Sequence, residues 1–372
     1  MKQPLIISAG VRRERRCLAL AGSILALAGC GGGSSSASLG FSGTPIAPTL
    51  QQRTDAATAT VASNVACTSI TPYYWEIGDA NGLLASGYGG DFSLALTPKP
   101  TDLMPIASAS KWIFSTYVVE KQSGVLSTSD IKFLNFESGY SNLSACSSLS
   151  TVAGCLTETG ALGGTTTNGD QLSATDGKFF YNGGHMQVLA SNIGLGPDNN
   201  TMLATEIKSI VGTDVGITYI DPQLAGGIFT TAATYAQFLI NMLGGTRYPN
   251  MTSLLGSDAV CTHTNSTDCP GAMFSPVNES GPGLTNDVSE ERWHYSLGHW
   301  VEDDPTVGDG AFSSPGRFGF YPWIDKTKTY YGILARYDPT HVAPADPTQA
   351  SYITSVYCGR LIRKAWELGQ LQ

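Results

Sequence analysis

Ser108 and Lys111 are the two residues of this chain best suited to chemistry. They are the first and last residues of a Ser-Ala-Ser-Lys tetrad, which precedes the apolar run Trp112-Ile113-Phe114. On a helix, positions i and i+3 share a face, so the hydroxyl and the amine would point the same way. A serine hydroxyl becomes a good nucleophile when a neighbouring base takes its proton. Lysine acts as that base only where burial or a nearby cation lowers its pKa towards neutrality.

The elements that position this pair follow from the hydrophobic pattern. Strand-like segments lie near both ends of the chain, and the middle is mostly helical. Strands distant in sequence must therefore meet in one antiparallel sheet flanked by helices, with a helical lobe of about 105–290 inserted. The predicted fold class is α/β (α+β). The predicted strands are a hairpin over 73–88 and segments 292–302, 316–324 and 329–337; the predicted helices are 105–125, 185–193, 201–212, 231–244 and 349–368.

The N-terminal residues are typical of a targeting segment. Four arginines between residues 12 and 16 precede a short apolar core, and Leu27-Ala28-Gly29-Cys30 resembles a bacterial lipoprotein cleavage box. We therefore expect a signal peptide over 1–30, with a lipid anchor on Cys30 holding the protein to a membrane. An ordinary secretory signal remains the alternative. Residues 31–65 are rich in Ser, Thr, Ala and Gly and predict a flexible tether, which leaves 66–372 as the functional domain.

Cysteine usage agrees with an exported protein, periplasmic, outer-membrane or secreted. Six cysteines follow Cys30, and an even number in an oxidising compartment predicts disulfides. Proximity favours Cys146–Cys155 and Cys261–Cys269, and Cys67–Cys358 would join the start of the domain to its last helix. Fifteen pairings are open to six cysteines, so these pairs remain a hypothesis.

Composition excludes some function classes. The chain has a net charge of −9 and no basic run after its leader, which argues against nucleic-acid binding. No spacing of His, Cys, Asp and Glu predicts a metal site, and no motif predicts a cofactor.

Five motifs in order resemble those of the serine β-lactamase and penicillin-binding-protein superfamily, with the class C β-lactamase and family VIII carboxylesterase branch as the nearest match. The resemblance covers most of residues 70–368. The motifs are Ser108–Lys111 for Ser-x-x-Lys, 133–140 for Leu-Leu-Thr-His-Thr-Ser-Gly-Leu, Tyr181-Asn182 for Tyr-x-Asn, 226–239 for a helix-start segment, and 313–319 for Lys-Thr-Gly or His-Ser-Gly on an edge strand.

The resemblance implies a role for each matching residue. Ser108 would attack a carbonyl and form an acyl-enzyme, and Lys111 would accept its proton. Tyr181 would be the second acid/base, with Lys111 supplying the positive charge that a phenol of pKa about 10 needs to act as a base. The N–H of Ser108 and one N–H from 314–318 would form an oxyanion hole.

Two motifs depart from the family pattern. Asn182 directly follows Tyr181, so an alignment on Asn182 would put Phe180 in the place of the tyrosine. The third motif lacks its Lys or His, and Ser313 or Ser314 must stand in beside Gly316. In relatives that cation helps to bind a substrate carboxylate, so its loss favours neutral ester or amide substrates. Arg317 is a candidate replacement for the charge.

Other side chains are candidates for the substrate site. His185 is near Tyr181 in sequence, and neither it nor His299 has a place in the family mechanism. Aromatic residues would line an acyl pocket, with a core role as the alternative; they are Tyr140, Trp300, Tyr321 and Trp323. The loops 158–176 and 262–290 are expected at the mouth of the site.

Three functions remain open. The first is an exported serine hydrolase that cleaves small esters, with amides or oligomeric substrates as further candidates. The second is a β-lactamase or D,D-carboxypeptidase acting on peptidoglycan. The third is a non-catalytic envelope lipoprotein that uses the fold for binding.

Overall fold

Strands from both ends of the chain lie in one sheet of the computed structural model, as predicted. The structure describes residues 47–91, 93, 96–264, 267–277, 291–344 and 346–372. Outside these residues lie the expected signal peptide, Cys30 and residues 278–290 of the 262–290 loop. The strands are β1 (Tyr73–Asp79), β2 (Gly82–Gly89), β3 (Met104–Pro105), β4 (Phe179–Phe180), β5 (Thr218–Tyr219), β6 (Ile228–Thr230), β7 (Val260–Cys261), β8 (Ala272–Phe274), β9 (His294–Ser296), β10 (His299–Glu302), β11 (Ala311–Ser313), β12 (Tyr321–Ile324) and β13 (Tyr331–Ala335).

Each of the five predicted helices is present, and the structure describes five further helices that were not predicted. No described helix is long and apolar enough to cross a membrane. The helices are α1 (Leu50–Ser63), α2 (Val65–Thr68), α3 (Ser110–Lys121), α4 (Thr128–Leu134), α5 (Val152–Leu156), α6 (Gly184–Ala190), α7 (Asn200–Val211), α8 (Ala232–Leu243), α9 (Pro249–Leu254) and α10 (Ser351–Leu368).

The main sheet has the strand order β2-β1-β13-β12-β11-β10-β9-β7, with antiparallel pairing between neighbours. The N-terminal hairpin therefore joins the C-terminal strands through β1 and β13. The third motif was expected on an edge strand, and that expectation is wrong. Ser313 ends β11, which lies between β10 and β12 because β9 and β7 extend the sheet beyond it.

The helical insertion centres on α3, whose residues from Ser110 to Val119 are all buried. Two small sheets accompany it. β3 pairs with β6, which in turn pairs with β5, and β4 pairs in parallel with β8. These short strands hold the segments that lead into α3 and α6, so they fix where those helices begin.

The predicted tether is too long, because α1 occupies much of it. Thr49 caps this helix through a capping box with Gln52. Its buried residues Ala56, Ala57, Thr60 and Val61 have helical spacing, which the Ala/Thr-rich composition concealed. Arg53 donates to the carbonyl of Trp366 at 2.7 Å, so α1 is joined to α10.

All three predicted disulfides are present: Cys67–Cys358, Cys146–Cys155 and Cys261–Cys269. Cys67 lies in α2 and Cys358 in α10, and both are fully buried. The first disulfide therefore joins the two ends of the domain covalently. The other two close short loops, as proximity suggested.

A buried ion cluster joins α10 to the main sheet. Arg363 and Glu302 are both fully buried, and their side chains pair at 2.9 Å. Arg363 also pairs with Asp309 at 2.7 Å, while Tyr321 donates a hydrogen bond to Glu302 at 2.6 Å. Each buried charge therefore has opposite charge and hydrogen bonds around it, which offsets the cost of removing it from water.

Removal of Arg363 is expected to destabilise the fold strongly. Arg363→Met leaves Glu302 and Asp309 without their main cation, so we expect the free energy of unfolding to fall by about 3–5 kcal/mol. Urea denaturation measures this change. Lys121→Met is the control, because the Lys121–Glu206 pair is 36% exposed on both sides and its loss should cost about 0–1 kcal/mol. Equal losses in the two variants would contradict the prediction.

Candidate active site

Ser108 lies in a tight turn between a strand and the central helix. The N–H of Ile106 donates to the carbonyl of Ile228 at 3.1 Å, which continues the pairing of β3 with β6. Ala107 has a φ of +44°, an uncommon conformation for a residue with a side chain. Ala107–Ala109 then form one 3₁₀ turn that runs directly into α3. This sharp change of direction places the half-buried Ser108 at the start of the helix.

Lys111 contacts the hydroxyl of Ser108 directly. Its Nζ lies 2.8 Å from Ser108 Oγ and 2.8 Å from the carbonyl oxygen of Ala225. Burial lowers the pKa of Lys111 to about 7, because a charged amine loses its hydration there. A neutral amine can donate one N–H to Ala225 and present its lone pair to the hydroxyl of Ser108. The arrangement therefore suits a general base.

Tyr181, rather than Phe180, is the aromatic residue at this site. The phenol of Tyr181 hydrogen-bonds with the side chains of Ser108 and Trp300, and its ring lies 4.8 Å from Lys111 Nζ. The ring of Phe180 instead packs on Phe274, with centroids 5.1 Å apart. The structure thus favours the alignment on Tyr181 over the one on Asn182.

The protonation state of Tyr181 differs from the sequence-based expectation. Burial raises the pKa of Tyr181 to about 12, although hydrogen bonds from Ser108 and Trp300 act in the opposite direction. A largely neutral Lys111 offers little positive charge to stabilise a phenolate. Tyr181 is therefore protonated near neutral pH and is placed to donate a proton rather than to take the first one.

The third motif packs against the turn that carries Ser108 through the side chain of Ser314 and the backbone of Gly316. Ser314 Oγ donates to the carbonyl of Ser108 at 3.0 Å. A Cβ on residue 316 would lie 2.2 Å from the carbonyl oxygen of Ile106, so only glycine allows this close approach. Ser313 is fully buried in β11, and its hydroxyl has no hydrogen-bond partner among the described residues. It is not brought to the site.

Two backbone N–H groups of this segment, those of Arg317 and Phe318, have no acceptor among the described residues. The N–H of Ser314 donates to Pro322 and that of Gly316 to Phe320, while Pro315 has no N–H. Of these two residues, Arg317 is the one that lines the cavity beside Ser108. The exposed guanidinium of Arg317 likewise has no described partner, and it borders the cavity beside Ser108.

Asn182 and His185 hold the scaffold together instead of facing substrate. Asn182 exchanges hydrogen bonds with the backbone of Leu143 and accepts one from the N–H of Gly184 at 2.8 Å. His185 is fully buried, with Nδ1 2.7 Å from Ser138 Oγ and Nε2 3.0 Å from the carbonyl of Phe180. Burial lowers the pKa of His185 to about 3, so it is neutral. Both side chains fix the segment that carries Tyr181.

The predicted aromatic pocket is only partly present. Trp300 borders the cavity and stacks on Tyr181, with centroids 5.3 Å apart. Tyr140 instead stacks on Phe133 away from the lining, and Tyr321 belongs to the buried ion cluster. Trp323 lies under Arg363 on the same side of the sheet as that cluster. Tyr140, Tyr321 and Trp323 are therefore structural residues, as the alternative interpretation proposed.

The cavity beside Ser108 has a volume of about 420 Å³ and mostly apolar walls. Larger cavities lie along α10 and beside Arg336, but neither contains Ser108. Tyr352 of α10 donates to the carbonyl of Pro276 at 2.6 Å and so holds one wall in place. The lining residues are Ser108, Tyr181, Phe274, Pro276, Val277, Trp300, Pro315, Arg317, Val342 and Tyr352.

The sequence did not indicate three parts of the site. Ala225 contributes a backbone carbonyl, for which no side-chain pattern exists. Tyr352 and Val342 reach the cavity through tertiary packing of the C-terminal region. The loop 158–176, expected at the mouth, contributes no residue to the described lining. Among the described residues, no group of His, Cys, Asp and Glu could hold a metal ion.

Comparison with known proteins places this architecture. No family model matches the chain, and no curated protein matches it. A protein from Bacteroides dorei classed provisionally as a beta-lactamase is 19% identical, with a TM-score of 0.55 over 80% of this chain and 95% of that one. A D-stereospecific amidohydrolase from Streptomyces is 10% identical, with a TM-score of 0.52 over 87% and 100%. Simvastatin synthase from Aspergillus terreus is 12% identical, with a TM-score of 0.51 over 84% and 99%. The chain therefore has a β-lactamase-like fold, which it shares with these structures.

Proposed function

We propose that this protein is a serine hydrolase that cleaves carboxylic esters through an acyl-enzyme on Ser108. The observation that carries the proposal is the 2.8 Å contact between Ser108 Oγ and a buried lysine amine whose pKa is about 7. A lysine in this state is the base that a serine nucleophile needs. The β-lactamase and amidohydrolase among the structural neighbours support hydrolysis as the class of reaction.

The first half of the reaction forms the acyl-enzyme. Lys111 takes the proton of Ser108 as Oγ attacks the carbonyl carbon of the ester. The N–H groups of Ser108 and Arg317 stabilise the oxyanion, each donor contributing about 3 kcal/mol in well-organised sites. The alkoxide leaves with a proton from Tyr181, which recovers one from Lys111. The ester is thereby converted into an alcohol and an acylated serine.

The second half regenerates the enzyme. A water molecule gives its proton towards Tyr181 and Lys111 while its oxygen attacks the acyl carbon. Ser108 Oγ then leaves and takes the proton back, which releases a carboxylic acid. The high pKa of Tyr181 suits a group that transfers protons without remaining ionised.

The cavity walls support a compact, apolar acyl group. Phe274, Pro276, Val277 and Trp300 present hydrocarbon surface next to Ser108, and the volume of about 420 Å³ suits a small molecule. An oligomeric ester or amide would place one unit there and extend into solvent. The three disulfides also support our proposal that the domain acts after export, with Cys30 as its lipid anchor.

A second candidate activity, on β-lactams or peptidoglycan stems, is favoured by Arg317. Its exposed guanidinium borders the cavity and has no described partner, so it is available to a substrate carboxylate. Nitrocefin hydrolysis that is lost in Arg317→Gln would support this candidate over the ester hydrolase.

Ser108 is expected to react covalently with a probe for nucleophilic serines. A fluorophosphonate should label the wild-type protein at Ser108, as located by mass spectrometry, and the protein should cleave p-nitrophenyl butyrate. Ser108→Ala should lose both properties. Ser110→Ala is the matched control. Ser110 lies two residues after Ser108, at the start of α3, and it is fully buried. An unlabelled Ser108 in folded protein without ester turnover would leave the binding-scaffold hypothesis as the better one.

The rate is expected to depend on the protonation of Lys111. Because the neutral amine is the active base, kcat/KM should rise with pH and reach half of its plateau near pH 7, the pKa of Lys111. Lys111→Met should lower kcat by roughly 10²–10⁴-fold, and Tyr181→Phe should lower it by a similar factor. Stopped-flow or steady-state ester hydrolysis between pH 5 and about 9 tests this. A rate that falls with rising pH across this range would contradict the assignment.

A further inference from the structure

The carbonyl of Ala225 is the second hydrogen-bond partner of the Lys111 amine, and its position depends on the loop that carries it. Ala225 is buried in the 221–227 loop between β5 and β6. Its carbonyl oxygen is 2.8 Å from Lys111 Nζ, the same distance as Ser108 Oγ. A shift of this loop by about 1 Å would remove an acceptor and reorient the amine, a displacement known to be costly in active sites.

Gln187 of α6 holds this loop with both ends of its amide. Its Nε2 donates to the carbonyl of Pro222 at 2.8 Å, and its Oε1 accepts from the N–H of Leu224 at 3.2 Å. Nε2 also donates to the carbonyl of Val152 at 3.1 Å, which joins the loop to α5. Gln187 is fully buried, so water does not compete for these bonds.

We propose that Gln187 is a positioning residue that fixes the 222–225 segment so that the Ala225 carbonyl orients the amine of Lys111 towards Ser108. The inference rests on the proposed function of Ser108 and Lys111. Gln187 also lies six residues after Tyr181, on the helix that this segment leads into. One short segment thus places the proton donor and, through the loop, the base.

The consequence concerns the protonation of Lys111. Without Gln187, the polar groups of Pro222 and Leu224 lose buried partners and the loop must move to satisfy them. Water then reaches Nζ, and the desolvation that lowers the pKa of Lys111 decreases. The amine becomes more often protonated at neutral pH, while the substrate cavity keeps its walls.

The test is Gln187→Met, which keeps the volume of the side chain and removes its hydrogen bonds. We expect the midpoint of the pH–kcat/KM profile to rise from about 7 to about 8 or higher, and kcat/KM at pH 7 to fall about fivefold or more, with KM within about twofold of wild type. Carbon-13 NMR of lysine labelled at Cε, with Lys111→Met to identify the signal, should show the same shift of the titration midpoint without any turnover. If Gln187→Met does not fold, Gln187→Asn is the second variant, because its shorter amide cannot reach Pro222 and Leu224 together and the midpoint should rise in the same direction.

Val188→Ala is the control for a general loss of stability. Val188 is a buried apolar neighbour on α6 whose side chain makes no hydrogen bond, so its truncation should lower the melting temperature and leave the midpoint near 7. An unchanged Lys111 midpoint in both Gln187 variants would overturn the proposal, even if wild type hydrolyses esters normally. A wild-type protein that neither labels nor turns over would instead refute the proposed function, while the NMR titration would still decide the role of Gln187.

Discussion

The burial of one lysine amine is the constraint on which the rest of this site depends. Lys111 sits on a helix that is buried along nearly its whole length, and desolvation dominates its pKa. Among the described residues the hydrogen-bond partners of Nζ are a hydroxyl and a carbonyl, which suit a neutral amine better than a cation. The fold must therefore supply precise acceptors in place of a counter-ion. The pairing of β3 with β6 and the hydrogen bonds of Gln187 to the 222–224 backbone hold these acceptors in place.

The charges that the fold does bury are kept away from the site. Arg363, Glu302 and Asp309 pair with one another between α10 and the main sheet. Burial is the cause that lowers the pKa of Lys111, and no charge of this cluster contributes to that shift. The molecule thus uses paired charges to attach its last helix and an unpaired amine for chemistry.

Much of this structure could be predicted from the sequence, and the exceptions have physical reasons. The hairpin, the helices α3, α6, α7, α8 and α10, and the disulfides follow from local periodicity and from the compartment, and the fold follows from ordered motifs. Periodicity could not place β11 inside the sheet, because that depends on which strands lie beyond it. Composition concealed α1, since alanine and threonine are common both in linkers and on the buried stripe of a helix. His185 and Asn182 have the side chains of catalytic residues, but only contacts reveal that they support backbone. The carbonyl of Ala225 has no sequence pattern at all.

The bridge between Cys67 and Cys358 also has a mechanical consequence. A pull on the chain ahead of α1 passes through this covalent link into α10 and the sheet, without loading the inserted helical lobe. The loop that holds Ala225 and the turn that holds Ser108 both belong to that lobe. A tension applied ahead of α1 would therefore reach the disulfide and α10 before it reached the surroundings of Ser108.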